Sequence, residues 1–206
     1  MKRKLLVCLL SVLMLVLPFA QTAFSADDPI DILCVGESLT CGSGANESGT
    51  ISGGINPERT YPARLYSKLG YGYQVHNFGI SGVSVLPEYK WEWAKYGYLH
   101  AAKTNQYGLN PFSSTAPTAD IVFIVLGTND AKDRIWKTEH GTGGATNFYN
   151  YYTEIVDEFQ AMSTHPQVVC VIPPPAVNGE GINDYEIQES TLRDEISPII
   201  ERVARE

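Results

Sequence analysis

The seven residues Asp120–Leu126, reading Asp-Ile-Val-Phe-Ile-Val-Leu, constrain this chain more than any other stretch. The run is short and rich in β-branched residues, which marks a strand. After Asp120 it has no polar side, so both faces of that strand must be covered. Continuous apolar strands of this kind belong to parallel sheets packed between helices. Ile30–Val35, Tyr73–Asn77 and Gln167–Ile172 read as further strands, the last stopped by Pro173-Pro174-Pro175. Thr60 can cap a helix through Ala63, Leu65, Tyr66 and Leu69, with Pro62 in its first turn and Gly70 as its stop. Phe148, Tyr152, Ile155, Phe159 and Met162 form one stripe of a long amphipathic helix. Leu192, Ile196, Ile199, Ile200 and Val203 mark a last helix, which Pro198 should kink or start. Val83–Ala119 breaks the rhythm and reads as a helix fragment plus a long loop. Strands alternating with helices predict an α/β fold, a three-layer α/β/α sandwich with right-handed crossovers.

The first 25 residues stand apart. Lys2, Arg3 and Lys4 precede the apolar run Leu5–Leu17, and Ala23-Phe24-Ser25 follows with small residues at its ends. This is the three-part pattern of a secretory signal peptide, and the run is shorter than the roughly 20 residues of a membrane span. Residues 1–25 are therefore expected to be a cleaved signal and 26–206 one domain, placing the protein outside the cell or in a periplasm. Without Lys2, Arg3 and Lys4, 12 basic residues face 23 acidic ones. So acidic a domain is a poor partner for nucleic acid or an anionic membrane. Three cysteines would remain, Cys34, Cys41 and Cys170, an odd number that cannot all pair. A Cys34–Cys41 bridge is the pairing left open.

A parallel sheet delivers the carboxyl ends of its strands to one edge, where ligands bind. Three segments should meet there: Gly36-Glu37-Ser38-Leu39-Thr40, Asn77-Phe78-Gly79-Ile80-Ser81-Gly82 and Gly127-Thr128-Asn129-Asp130. Ser38 offers a hydroxyl at a strand end. Gly82 lets a backbone N–H approach a ligand without an intervening side chain. Asn129 offers an amide NH2. A serine beside N–H donors suits acyl transfer, in which the donors hold the oxygen that becomes negative. Each residue also has a plainer use: Ser38 as a helix N-cap, Asn129 and Asp130 as turn residues. No phosphate-loop or dinucleotide motif completes the glycines of 36–54, and the histidines lack metal-ligand spacing. No cofactor and no metal are expected.

The three segments, in this order, resemble the blocks of the SGNH or GDSL-type hydrolases, Gly-Asp-Ser-Leu, Asn-x-x-x-x-Gly and Gly-x-Asn-Asp. The resemblance implies a flavodoxin-like strand order. It makes Ser38 the nucleophile, and gives the oxyanion to the backbone N–H groups of Ser38 and Gly82 and the Asn129 side chain. It further implies a secreted serine esterase acting on small acyl esters, acetyl esters of carbohydrates foremost. Arylesterase or short-chain lipase activity is the alternative within that class. Glu37 stands where the family usually has Asp. The family's fourth block, Asp-x-x-His, occurs nowhere; the histidines are His76, His100, His140 and His165. On that ground the chain is expected to be a fragment, nearly inactive and with its fourth strand an open apolar edge. A non-catalytic carbohydrate-binding relative is the rival reading. Tyr89, Trp91, Trp93, Tyr96 and Tyr98 are either a stacking platform for sugar or a cover for the core edge, and Asn46-Glu47-Ser48 is a glycosylation sequon.

Overall fold

The structure, a computed structural model, describes residues 28–42, 57–90, 95–176 and 186–206. The expected signal at 1–25, the sequon at 46–48, Trp91 and Trp93 lie outside them. Strands β1 (Ile30–Gly36), β2 (Tyr73–Gly79), β3 (Ile121–Val125) and β4 (Gln167–Cys170) form one parallel sheet in the order β2-β1-β3-β4. This is the doubly wound order that sequence resemblance implied, with its switch point between β1 and β3. The expected strand ends shift slightly. β2 runs on to Gly79, which pairs with Gly36. Pairing by β4 ends near Val171, whose N–H still reaches Ile124 O at 2.9 Å, because the prolines that follow supply no N–H.

Helix α1 (Ser38–Cys41) turns directly off β1, and α2 (Tyr61–Leu69) follows. Thr60 caps α2 by accepting from Ala63 N at 3.1 Å, and Gly70, at φ +80°, ends it. Helix α3 (Gly97–Lys103) is the fragment expected in the irregular stretch. Helix α4 (Gly144–Gln160) buries Phe148, Tyr152, Ile155 and Phe159 on one stripe, while Met162 falls just past its end and packs on the same core. A π-helical segment, Leu192–Ile196, leads into α5 (Ser197–Arg205). Pro198 is the second residue of α5, at the junction where the π-helical segment gives way to regular helix.

Among the described residues the two faces of the sheet are covered unequally. Leu33, Val35, Val122 and Ile124 join α3, α4, α5 and the π-helical segment in one core. On the other face α2 sets Tyr61 against Cys34, and burial pushes that thiol up to about 11. There Ile121 and Phe123 of β3 are only half-buried. Among the described residues α2 lies toward β1 and β2. None of Cys34, Cys41 and Cys170 is in a disulfide, so no Cys34–Cys41 bridge forms. Cys34 lies mid-strand under Tyr61, and Cys41 closes α1.

Close packing of α1 on the strand ends depends on glycine. A Cβ on Gly79 would stand 2.4 Å from Cys41 N, a backbone atom that cannot step aside. Gly79→Ala is expected to cost roughly 1–3 kcal/mol as an overpacking change, read from urea unfolding midpoints. An unchanged midpoint would show that α1 is not pinned there.

Candidate active site

Gly36 ends β1 where a side chain has no room: a Cβ there would lie 2.0 Å from Thr40 Oγ1 and 2.7 Å from Val125 O. The chain can therefore fold back at once into α1. Glu37 holds the N-cap position, at φ −109° and ψ −145°, with no capping bond. Ser38 is the first residue of the helix, so the N-cap alternative for this serine is removed. Its N–H belongs to the first turn, which has no intrahelical acceptor. Its side chain is half-buried, and its hydroxyl has no hydrogen bond among the described residues.

The turn after β2 is tied to α1 by Asn77. Its Nδ2 donates to Thr40 O at 2.8 Å, and its Oδ1 accepts from Gly79 N at 2.9 Å. Ile80 N then donates to Gly36 O at 2.9 Å. Gly82 follows at φ +79°, a conformation that disfavours any side chain. Beyond it Asp130 accepts from Val85 N at 3.0 Å and Leu86 N at 2.7 Å. Tyr98 braces the same turn from α3, its hydroxyl donating to Phe78 O at 3.1 Å.

Asn129 joins all three turns. Its Nδ2 donates to Glu37 Oε2 at 2.9 Å and to Val83 O at 2.8 Å, and its backbone N–H reaches Glu37 Oε2 at 3.3 Å. The neighbours of Ser38 and of Gly82 thus share one amide. An amide NH2 has two hydrogens, and both are in use. Donation from Asn129 to an oxyanion therefore requires one of these bonds to be shared or released.

The sequence did not single out Glu37, Asn77 or Asp130 for these duties, although all three sit inside the quoted segments. Glu37 and Asp130 are fully buried acids. Burial pushes Glu37 up to about 7, and the Asp130 charge adds to the rise while Lys132 opposes it. Asp130 is pushed up to about 7 by burial too, against the pull of the Leu86 and Val85 N–H groups. Lys132 is lowered by its own burial, with Glu88 pulling the other way. Arg134 pairs with Glu88 at the flank of this network.

The histidines lie elsewhere. His76 Nε2 meets Asp31 Oδ1 at 2.7 Å, His140 Nε2 meets Pro87 O at 2.9 Å, His165 bonds Gln160 O, and His100 packs at a tilt against Tyr96. None is hydrogen-bonded to Ser38. Of the aromatic cluster, Tyr98 is core, whereas Tyr89 and Tyr96 are exposed. Among the described residues no cluster of three His, Cys, Asp or Glu is placed to hold a metal, and no helix is long and apolar enough to cross a membrane.

A family model of GDSL-like lipases and acylhydrolases matches residues 34–206, most of the chain and all three turns. The chain belongs to that family. An acetylxylan esterase of Xylanibacter ruminicola is 25% identical over 193 residues, which are 87% of this chain and 35% of the relative. The chain thus spans about a third of the length of that curated relative. Among solved structures, a carbohydrate acetylesterase from Sinorhizobium meliloti superposes with a TM-score of 0.61 at 21% identity, over 85% of this chain and 80% of the other. An aryl esterase of M. smegmatis superposes with a TM-score of 0.61 at 22% identity, over 85% and 80%. These likenesses establish the fold: the parallel sheet with its flanking helices is that of GDSL-type proteins.

The raised acids make a stability prediction. Each has a folded pKa above its unfolded value, so the folded state holds the extra proton. Stability is then greatest on the acid side and falls as pH rises toward 7. The fall should approach roughly 1 kcal/mol per pH unit for each group between about pH 4.5 and 7. Thermal melts across that window check it, and Glu37→Gln should flatten the slope. A melting temperature that rises across the window would show the acids to be ionised in the fold.

Proposed function

We propose that the chain is a secreted carboxylic ester hydrolase that removes small acyl groups, acetyl foremost, from carbohydrates through an acyl-enzyme on Ser38. One observation carries this reading: the Asn129 amide ties the residue beside Ser38 to the residue beside Gly82, the three residues to which the reading gives the nucleophile and the oxyanion donors. The names of the acetylxylan esterase and carbohydrate acetylesterase relatives support the acyl group and the alcohol. A cleft of about 450 Å3 opens between α1 and the turn after β2, lined by Cys41, Ile80, Ser81, Tyr107 and Leu109. Ser38, Gly82 and Asn129 are not among its lining residues, so it adjoins the candidate site rather than containing it. The basic start and apolar run of residues 1–25 support export.

In this reaction Ser38 Oγ attacks the ester carbonyl carbon as its proton passes to a base. The carbonyl oxygen becomes negative and is held by the N–H groups of Ser38 and Gly82 and by Asn129. Collapse breaks the bond to the sugar oxygen, which leaves as the alcohol with a proton. Water then attacks the acyl-serine and releases the acid. A serine hydroxyl is a weak nucleophile without an adjacent base. That Ser38 has no histidine partner among the described residues favours a second reading, a carbohydrate-binding relative without turnover.

Hydrolysis of p-nitrophenyl acetate and of acetylated xylan decides between them. The first reading expects turnover that Ser38→Ala abolishes, with a fluorophosphonate adduct mapping to Ser38. Asn129→Ala should lower kcat by roughly 10²–10³ with little change in KM. Saccharide binding with no Ser38-dependent turnover would establish the second reading, and labelling at another serine would remove Ser38 as nucleophile.

A further inference from the structure

We propose that Glu37 is a positioning residue of the oxyanion site: its carboxyl holds the Asn129 amide, and the site is competent when that carboxyl is neutral. The role in view is the one given to Asn129 under the proposed function, and the inference rests on that reading.

The geometry supports it in three ways. Glu37 is fully buried and makes its side-chain contacts to Asn129 through one oxygen, at 2.9 Å to Nδ2 and 3.3 Å to the backbone N. Its other oxygen, Oε1, is buried as well, and the Thr128 hydroxyl is the group that does most to favour the charged form. A fully buried carboxylate is costly to ionise, whereas a protonated one can itself donate a hydrogen bond. Finally, the groups that face Glu37 oppose one another. Asp130 favours its neutral form and Lys132 its charged form, both from the turn after β3. The loop after β2 presents the Val83 carbonyl, and its Glu88 acts on Lys132. With these offsetting, burial decides, and Glu37 is pushed up to about 7.

Charge on Glu37 would act against the reaction twice. A charge-assisted bond from Asn129 is about twice as strong as a neutral one, so the amide would be held harder. A buried negative charge one residue from the nucleophile would also repel the oxygen that becomes negative. The neutral carboxyl does neither and still fixes the amide. An aspartate, one methylene shorter, would not carry its carboxyl as far from the main chain; the glutamate found here provides that reach.

Two measurements test this on the full 206-residue chain. In 15N–1H spectra the Asn129 side-chain amide, assigned with Asn129→Asp, is followed from about pH 5 to 9, the span around the shifted group. It should move with a midpoint near 7 in the unmodified protein and stay still in E37Q. An amide that does not titrate, or that titrates equally in E37Q through Asp130, overturns the proposal whether or not the chain turns over ester. Should E37Q not fold, Asp130→Asn takes its place: the movement near 7 should persist there, and an amide that then stays still overturns the proposal. The second measurement is the rate of fluorophosphonate labelling at Ser38. The E37Q to wild-type rate ratio cancels titrations common to both and should climb by roughly ten- to a hundredfold between acid and alkaline pH, up to the worth of one oxyanion donor. A flat ratio overturns the proposal. Absence of Ser38 labelling at every pH, with the amide still following Glu37, instead sinks the esterase reading and leaves the positioning contact standing.

Discussion

The Asn129 amide, held between Glu37 Oε2 and the Val83 carbonyl, is the contact on which the candidate site depends. It is buried, and so are its partners. Removing it would leave an acid and a carbonyl unsatisfied away from water, a loss greater than the bonds themselves are worth. The turns it joins come from β1, β2 and β3, and none of them is held by local structure alone. Asp130 extends the same knot by taking the Val85 and Leu86 N–H groups, which have no strand to pair with. Asn77 closes the remaining side by tying β2 to Thr40 of α1. Three side chains from two of the motif segments thus set the backbone around Ser38 and Gly82, and the sheet supplies the rigid frame beneath them.

Much of that frame was legible in residue order. The apolar run 120–126, the stripe from Phe148 to Phe159 and the Thr60–Gly70 pair of caps announce their elements through local patterns, and these elements stand where expected. The irregular stretch 83–119 was not legible beyond a helix fragment. Its path is set by bonds to residues distant in sequence, as in the contact of Asp130 with Val85, 45 positions away. The uneven cover of β3 was hidden for a related reason. Periodicity says that Phe123 is apolar, but not which half of the sheet a helix will lie across.

At the site, residue types were legible and hydrogen bonds were not. Ser38, Gly82 and Asn129 follow from three turns that a parallel sheet must bring to one edge. That Asn129 spends both hydrogens on protein acceptors depends on rotamers and distances of a few tenths of an ångström. The one visible hint was Glu37 in place of Asp. Its longer side chain reaches Asn129 from a position whose neighbour, Gly36, leaves no room for a Cβ. Gly36 and Glu37 are therefore read together: the first lets the turn tighten, and the second crosses the gap to the turn after β3.

This arrangement is an expensive way to build a fold. Glu37 and Asp130 are both without exposure, and burial lifts each toward 7. Two acids in one buried network cannot both be charged cheaply, since each raises the cost of the other's ionisation. Lys132 offsets part of that cost but is itself desolvated. Apolar residues of similar volume are often at least as stabilising as a buried charged set. Hydrophobic burial on the α3–α4–α5 face already gives the chain a continuous core. Polar burial concentrated at one sheet edge, around a serine whose hydroxyl has no bond among the described residues, runs against what stability alone would select. Local rules broken in this way are expected where a site is being held in shape. The turns of β1, β2 and β3 are where this chain breaks them.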